Sequence, residues 1–339
     1  MLKYKIMRYY LLNTNDINEN CMAQIHTYMN QELRKILEKQ HYGIVGHHSG
    51  VKLCHWMRQS LLFNRECYKQ TFYGIQSHRC LQMTPSINQC YHMCLFCWRH
   101  QGFNEKEFEK IDDPKYILDK SIEIHRKLIT GFKGDERCDQ KKWREANNPN
   151  MLACSLTGEP TLYPKLGEFF EECHKRNITT FLVTNGTNPD ALENLHPLPK
   201  QLYVSIVAPN KEVYKRICSP LIPDGWDKIN KTLELLPSLS TRTVIRHTLV
   251  NGWNMDEKYV KEYVKLDEKA SPSYIEPKGY VFVGYSRKRM TISNMPSHDD
   301  VRAFGCALAE CLGYELSMEK PESRVVLLSK NSKTVRFDE

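Results

Sequence analysis

The sequence predicts an α/β protein in which parallel strands alternate with helices around a barrel or a partial barrel. From about residue 83 onward, short apolar runs alternate with longer runs of helical periodicity, which is typical of repeated strand–helix units. Six such units occur, and 41% of the 339 residues are apolar, which is enough to bury one large core. The chemistry of such a fold is expected where its strands end.

The elements follow one another in a regular order. An amphipathic helix is predicted over residues 16–39, where apolar residues recur at helical spacing and Thr14 or Asp16 can cap the start. The predicted strands are Gln82–Asn88, Met151–Leu156, Thr179–Thr184, Gln201–Val207, Thr243–Val250 and Tyr274–Phe282. The predicted helices cover residues 114–130, 164–176, 189–195, 225–236, 256–269 and 298–311.

We expect three parts in the chain: an N-terminal extension over residues 1–82, a core over residues 83–315 and a charged tail over residues 316–339. Residues 131–150 are polar and charged, so we interpret them as a solvated insertion between the first core helix and the second strand. The tail from Glu319 is similarly charged, and we expect it to be partly disordered.

Composition narrows the class of protein. The chain has no apolar run long enough for a membrane helix and no signal peptide, so it is expected to be soluble and cytoplasmic. Its net charge of +8 is spread along the chain and weakly favours an anionic partner such as nucleic acid. Thirteen cysteines in a cytosolic protein indicate metal or cluster ligation where they are grouped, because disulfides are rare in that compartment.

The first cysteine group lies directly after a predicted strand. Cys90, Cys94 and Cys97 have the spacing C-x3-C-x2-C, and three thiolates on one loop can hold three irons of a 4Fe-4S cluster. The fourth iron is then open to a chelating cofactor with an amino group and a carboxylate. The alternative is a zinc site completed by His92 or His100, because zinc also accepts mixed Cys and His ligands.

This loop, with the aromatic Phe96 before its last cysteine, resembles the motif of the radical S-adenosylmethionine (SAM) superfamily. Residues 155–160 (SLTGEP) resemble the GEP element of the same superfamily, whose backbone and carboxylate meet the ammonium group of SAM. The resemblance implies a partial (β/α)6 TIM-like radical SAM barrel, with an N-terminal helical extension that binds a further cluster. It also implies a SAM site formed by Gly158, Glu159, Thr184, Asn185 and Ser205, although Asn185 and Gly186 are also a favoured turn pair.

A second cysteine group lies upstream. Cys54, Cys67 and Cys80 have the spacing C-x12-C-x12-C, which suggests a second 4Fe-4S cluster with an open iron of its own. The alternative is three unrelated buried cysteines, because free cysteine is among the most buried residue types. A cluster requires the three sulfur atoms to converge in space.

The two cysteine patterns, in this order, resemble those of the tRNA 4-demethylwyosine synthases of wybutosine biosynthesis. The resemblance covers about residues 20–315 and includes the runs 181–187 (FLVTNGT) and 275–280 (IEPKGY). The chain looks like the shorter archaeal-type form, which lacks the flavodoxin domain of the longer members. The resemblance therefore implies a separate electron donor of the flavodoxin or ferredoxin type, and we expect a monomer.

The resemblance also implies a reaction. The family joins a two-carbon fragment of pyruvate to N1-methylguanosine at position 37 of phenylalanine tRNA, which yields 4-demethylwyosine. The cluster of Cys90, Cys94 and Cys97 would reduce SAM, and the resulting 5′-deoxyadenosyl radical would take hydrogen from the N-methyl group. Lys69 matches the lysine proposed to form a Schiff base with pyruvate. In a competing hypothesis, pyruvate chelates the open iron of the second cluster.

The tRNA-binding surface is predicted from basic and aromatic residues, because an anticodon-loop base can be splayed out and stacked while its phosphates are bound. The candidates in and after the sixth strand are Lys278, Tyr285, Arg287, Lys288 and Arg289. Two other functions stay open at this point. One is a radical SAM enzyme that acts on a peptide or small metabolite, and the other is a zinc-stabilised RNA-binding protein without redox chemistry.

Overall fold

A computed structural model describes residues 29–102, 107–330 and 336–337. In these ranges ten strands form a single sheet, in which β1 to β8 follow in chain order and β10 and β9 come last. The strands are β1 (Gly43–Val45), β2 (Ser49–Val51), β3 (Cys80–Thr84), β4 (Met151–Cys154), β5 (Thr179–Thr184), β6 (Gln201–Ser205), β7 (Arg242–Leu249), β8 (Tyr274–Gly279), β9 (Glu315–Lys320) and β10 (Val325–Ser329).

Eleven helices accompany the sheet in the described ranges, and one of them, α3, lies on its inner face. They are α1 (Gln31–Lys39), α2 (His55–Phe63), α3 (Tyr68–Tyr73), α4 (Pro114–Ile129), α5 (Gln140–Ala146), α6 (Leu166–Lys175), α7 (Pro189–Glu193), α8 (Lys211–Cys218), α9 (Gly225–Leu235), α10 (Val260–Ala270) and α11 (His298–Leu312).

Six neighbouring strands, β3 to β8, are parallel, and this confirms the predicted α/β partial barrel. Every residue of β4 is buried, and most of β5, β6 and β8 is buried as well. Strands that are covered on both faces have continuous apolar sequences, which is why these runs were recognisable. The five predicted strands from Met151 onward are present, with ends that differ by up to three residues.

The segment after α11 was predicted to be partly disordered, and this is wrong for the part that forms strands. β10 pairs antiparallel with β8 and β9, and all five of its residues are buried. Its short apolar run, Val325–Ser329, lies between charged segments that dominate the composition of the tail. Burial of this run closes the edge of the sheet beside β8. The division of the chain into three parts stays a prediction.

Two other expectations need correction. The N-terminal helix begins at Gln31, because Asn30 caps it by accepting hydrogen bonds from the N–H groups of Glu32 (2.9 Å) and Leu33 (3.2 Å). The predicted part over residues 16–28, with its caps Thr14 and Asp16, lies outside the described residues. The insertion over residues 131–150 is not a plain loop, because it contains α5, which Asp139 caps.

The barrel interior holds the feature that positions the candidate site. α3 inserts the rings of Tyr68, Phe72 and Tyr73 against inward-facing residues of β4 to β8 and β10, where they form one buried apolar cluster. Residues 336 and 337 also reach α3, since the N–H of Phe337 donates to Tyr73 O at 2.8 Å. The Phe337 ring packs against Phe181 of β5, with 5.4 Å between the ring centroids. The C-terminal end of the described chain therefore helps to hold the short helix α3 inside the barrel.

Candidate active site

The first cavity lies where β4, β5 and β6 end, as expected for a parallel barrel. Its volume is about 220 Å³, and the sulfur-bearing residues Cys90, Cys94 and Cys97 line it. The residues predicted to bind SAM line the same cavity: Gly158, Glu159, Thr184, Asn185 and Ser205. The structure therefore brings together both sets of residues that the sequence motifs predicted. Their contacts with a cofactor stay a prediction.

The cysteine loop is held in place by backbone contacts with α8 and by one arginine. Leu95 N–H donates to Ile217 O at 3.0 Å, and Met93 N–H donates to Cys218 O at 3.1 Å. Arg289 donates from Nε to Leu95 O at 3.1 Å and from Nη2 to Cys97 O. Arg289 is half-buried and its guanidinium group supports the loop, and its predicted contact with RNA phosphate stays a prediction.

Arg99 places a buried positive charge beside the three thiols. It is 4% exposed, its Nη2 donates to His92 O at 2.6 Å, and its Nη1 is buried without a hydrogen-bond partner in the described part of the chain. Burial raises the pKa of Cys90 to about 12, and the Arg99 cation opposes this rise. Three half-buried cysteines beside a cation with a free N–H group fit an anionic iron–sulfur cluster, whose sulfides accept such hydrogen bonds.

The spacing of the sulfur atoms bears on the zinc alternative. Within the described ranges, only His92, Cys94 and Cys218 bring three possible ligand atoms within 4.8 Å of one another, so neither predicted cysteine triad is that compact. Tetrahedral zinc holds its ligand sulfurs roughly 3.8 Å apart, given Zn–S bonds of about 2.3 Å. Neither triad therefore has the geometry of a single zinc ion in this structure. His92 is engaged elsewhere, since its Nε2 lies 2.7 Å from Tyr214 Oη.

Glu159 ties together the ends of β4 and β5. It is 2% exposed, and its carboxylate accepts hydrogen bonds from Thr184 Oγ1 (2.6 Å), Thr161 Oγ1 (2.7 Å) and Asn185 N–H (2.8 Å). Burial raises the pKa of Glu159, and these hydrogen bonds oppose the rise. Its contact with the ammonium group of SAM stays a prediction, because the observed partners all belong to the protein.

Gly158 and Asn185 connect the strand ends to the cysteine loop. Gly158 has a φ of +74°, and a Cβ atom at this position would lie 1.6 Å from Ser86 O. Only glycine fits so close to another backbone segment at a positive φ. Asn185 Nδ2 donates to Cys90 Sγ at 3.7 Å. The positions that line the cofactor side of the cavity therefore also contact a predicted cluster ligand.

The second cavity lies inside the barrel beside α3 and has a volume of about 210 Å³. Cys54, Cys67 and Cys80 all line it, as a shared cluster requires, and their role as cluster ligands stays a prediction. Cys54 and Cys67 directly precede α2 and α3, and Cys80 opens β3. Burial and the nearby Cys54 raise the pKa of Cys67 to about 11.

Two lysines share this cavity with the cysteines. Lys69 is 7% exposed, and its Nζ lies 4.5 Å from the ring centroid of Tyr203 and 4.9 Å from that of Phe181. Burial lowers the pKa of Lys69, and the neighbouring Arg246 lowers it further. Burial also lowers the pKa of Lys278 to about 8. Lys278 lines this interior cavity and donates to Ser323 O at 2.8 Å, and its predicted contact with RNA stays a prediction.

Arg246, which lines the second cavity, forms a buried ion pair with Glu276 that the sequence analysis missed. Arg246 donates from Nε (3.1 Å) and Nη2 (2.8 Å) to Glu276 Oε2, and from Nη2 to Tyr68 Oη (2.6 Å). Tyr73 Oη donates to Glu276 Oε1 at 2.6 Å. Arg246 and Glu276 are paired in the β7–β8 register. The signal in the sequence that could have revealed the ion pair is therefore one basic and one acidic residue at matching positions of two adjacent predicted strands.

The other predicted RNA contacts lie on an exposed segment after β8. The backbone N–H of Tyr285 donates to Trp98 O at 3.0 Å, and the Tyr285 ring packs edge-on against His100. Arg287 and Lys288 are exposed beside it. Their contact with RNA stays a prediction. Over the described ranges, no helix is both long and apolar enough to cross a membrane.

Comparisons with known proteins agree with these features. The family described as Radical SAM superfamily matches residues 84–264, and the family described as Wyosine base formation matches residues 269–330. The S-adenosyl-L-methionine-dependent tRNA 4-demethylwyosine synthase of Pyrococcus horikoshii is 52% identical over 315 residues, which cover 91% of this chain and 92% of the relative. The synthase of the same name from Methanocaldococcus jannaschii is 39% identical over 312 residues, which cover 90% and 98%.

Two solved structures are similar over nearly the whole chain. One is described as TYW1 with a lysine-pyruvate adduct bound; it has a TM-score of 0.82 and 38% identity, and the alignment covers 91% of this chain and 98% of that one. The other is described as archaeal TYW1, with a TM-score of 0.75, 36% identity and coverage of 91% and 99%.

Proposed function

This chain belongs to the family of S-adenosyl-L-methionine-dependent tRNA 4-demethylwyosine synthases, and we propose that its two cysteine-lined cavities each hold one reactant of the synthase reaction. It is a radical SAM enzyme of wyosine base formation, which uses SAM and a 4Fe-4S cluster and acts on tRNA. Neither a peptide-modifying enzyme nor a zinc-stabilised RNA-binding protein is favoured. We place its activity in the cytoplasm.

The first cavity is assigned to SAM. Cys90, Cys94 and Cys97 would hold the cluster, which supplies the electron that cleaves SAM into methionine and a 5′-deoxyadenosyl radical. Asn185 and Ser205 offer polar side chains to the methionyl and ribose groups of the cofactor. The close backbone approach at Gly158 leaves the neighbouring strand ends accessible to it. Buried walls of β4 to β6 keep water from a reactive intermediate.

The second cavity is assigned to pyruvate. Lys69 Nζ, as a neutral amine, attacks the C2 carbonyl of pyruvate and forms a Schiff base with loss of water. The lowered pKa of Lys69 supports this role, because it makes the neutral amine available nearer to physiological pH. The related structure described as TYW1 with a lysine-pyruvate adduct bound supports it as well. The cations of Arg246 and Lys278 suit the carboxylate of the adduct.

Cys54, Cys67 and Cys80 are assigned to a second 4Fe-4S cluster. Their position around one cavity with Arg246 and Lys278 supports this assignment, because these cations offset the charge of three thiolates. An open iron there would provide the competing way to hold pyruvate. A Lys69→Met variant separates the two, because chelation by iron survives this change and a Schiff base does not.

The tRNA substrate is assigned N1-methylguanosine at position 37 of phenylalanine tRNA. Hydrogen abstraction from its N-methyl group leaves a carbon radical that adds to C2 of the pyruvate held at Lys69, and the bond between C1 and C2 of pyruvate then breaks, so that C1 leaves and two carbons stay in the base. The exposed side chains of Arg287 and Lys288, with Tyr285 beside them, border the cysteine loop and suit the phosphates of an anticodon loop. A separate flavodoxin or ferredoxin is assigned as the electron donor, and the protein is assigned as a monomer.

The observation that carries this proposal is that a buried lysine and a second cysteine triad lie inside the barrel, next to the SAM cavity. The test is mass analysis of nucleosides from N1-methylguanosine-containing phenylalanine tRNA after reaction with reconstituted protein, SAM, dithionite and carbon-labelled pyruvate. We expect a labelled tricyclic base. Matched reactions contain tRNA without the N1-methyl group, or no pyruvate. Unlabelled base, or product from unmethylated tRNA, would contradict the substrate assignment.

A further inference from the structure

The two cavities meet on the inner face of β4 and β5. Ser155 and Val183 are the two residues that line both cavities, among those that the structure describes. Cys154 of β4 pairs in parallel with Leu182 of β5, so the next residues along, Ser155 and Val183, lie side by side. These two neighbours form a common border between the SAM cavity and the Lys69 cavity, and we call them the shared wall.

Both side chains of the shared wall face open space. Cys154 and Leu182, one position earlier, are completely buried, whereas Ser155 and Val183 are only partly buried. The N–H of Ser155 donates to Met83 O at 3.0 Å, which fixes the backbone at this point. The shared wall is therefore rigid in its backbone and accessible from both cavities.

The proposed reaction requires one carbon atom to react twice. The N-methyl carbon first loses a hydrogen atom beside SAM and then forms a bond with a pyruvate carbon held at Lys69. Each step needs reacting atoms roughly 3–3.5 Å apart. The carbon radical formed in the first step must reach the second reactant before water or another group quenches it. The methyl group must therefore lie at a position close to both the SAM in the first cavity and the pyruvate in the second.

This inference rests on the proposed function. We propose that Ser155 and Val183 contact the N-methyl group of the substrate base, and we call this contact site the seat of the base. Val183 limits how far the base enters between the two cavities. Valine suits this role because its branched Cβ holds χ1 in few rotamers and presents a fixed surface. Its small size leaves space for one methyl group beside the neighbouring serine. Val183 is therefore a specificity-determining residue for an N-alkylated purine.

The test is to enlarge Val183 in the reconstituted enzyme and to compare two products of the same reaction. In Val183→Phe, 5′-deoxyadenosine continues to form, while the yield of 4-demethylwyosine per deoxyadenosine falls by at least about tenfold. Borohydride trapping of labelled pyruvate on Lys69 and the iron content are measured in the same variant, because Val183 also lines the Lys69 cavity. Wild-type values of both assign the loss of product to the seat of the base, and a variant that traps less pyruvate is replaced by Ser155→Val.

Val207→Phe is the matched control, because Val207 lines the SAM cavity alone. There both products fall together, so their ratio stays that of the wild type. An unchanged ratio in Val183→Phe, or an equal loss of ratio in Val207→Phe, overturns the proposal. If Val183→Phe loses its iron, Ser155→Val takes its place with the same expectation. A wild-type enzyme that makes no labelled base refutes the proposed function instead, so the two failures are distinguishable.

Discussion

The charges around Lys69 set the pH at which its neutral amine becomes available for pyruvate. Burial lowers the pKa of Lys69 and the Arg246 cation lowers it further, whereas Cys67, Cys80 and Glu276 raise it. Loss of Arg246 therefore raises this pKa, and loss of Glu276 lowers it. The two partners of one ion pair thus have opposite effects on the same amine, which makes the sign of each change testable.

The repulsion between the Lys69 and Arg246 charges can be calculated, because both charges lie against the ring of Tyr203 and their separation therefore has an upper limit. Lys69 Nζ lies 4.5 Å from the Tyr203 ring centroid and Arg246 Cζ lies 4.3 Å from it, so the two charges are at most about 8.8 Å apart. At an effective dielectric constant of about 20, they repel by about 1.9 kcal/mol or more. Removal of the Arg246 charge should thus decrease the neutral fraction of Lys69 by about 25-fold at neutral pH.

The assay is borohydride trapping of labelled pyruvate on Lys69 as a function of pH. The midpoint should be lowest in Glu276→Gln and highest in Arg246→Met, with the wild type between them. Because removal of one partner from a buried ion pair costs about 3–5 kcal/mol, the double variant Arg246→Met/Glu276→Gln tests the same point without an unpaired charge. Its midpoint should lie above that of the wild type, since Arg246 has the larger effect on Lys69.

Arg242→Met is the control for this series. Arg242 is a cation of the same strand, but its guanidinium stacks on Phe337, 4.2 Å from the ring centroid, and does not line the second cavity. Its midpoint should equal that of the wild type. A midpoint in Arg246→Met that is equal to or below the wild-type value would refute the electrostatic argument.

Three further predictions concern the two cavities. Gly158→Ala should abolish SAM cleavage and lower the melting temperature of the protein. A positive φ costs about 1–2 kcal/mol for alanine, and the added Cβ would lie 1.6 Å from Ser86 O. An unchanged melting temperature and unchanged cleavage would contradict this prediction. Arg99→Met should lower the reduction potential of the SAM cluster, because a buried cation stabilises the added electron, and Arg99→Lys should restore part of it. A redox titration followed by electron paramagnetic resonance measures this potential, and an unchanged or higher value in Arg99→Met would be inconsistent with the prediction. Cys67→Ser should lose iron and form no tricyclic base, but it should keep dithionite-driven SAM cleavage. Cys138 is a buried cysteine outside both cavities, so Cys138→Ser should keep its iron and both activities. Equal effects of the two changes would disprove the ligand assignment.

Much of the fold was predictable because buried parallel strands are continuous apolar runs. The bounds of β5 were predicted correctly at Thr179–Thr184, and the cysteine spacings identified both triads. β3 was less predictable: it ends at Thr84, before the predicted end at Asn88, because Pro85 cannot donate to a strand ladder. Helix α8 was missed because it follows a turn within a stretch of mixed polarity, where only its cap Asn210 marks the start.

The wall of the second cavity was not predictable from local pattern. An inward-facing residue of a barrel strand is expected to be apolar, but Arg246 and Glu276 are charged, and they pair with each other and with the hydroxyl groups of Tyr68 and Tyr73. Lys278 was assigned to the surface on its charge, although the register of β8 directs it inward beside Glu276. Such contacts depend on which strands become neighbours, and this is a property of the tertiary structure.

The contact between α3 and residues 336 and 337 has a consequence for biosynthesis. The ribosome makes Lys69 and the second cysteine triad early, but Val325 and Leu327 of β10 and the ring of Phe337 join the barrel interior only after more than 240 further residues. A nascent chain that has completed β3 to β8 therefore still exposes its interior face to solvent. The apolar packing around α3 is therefore completed only when the last residues of the described chain have been synthesised.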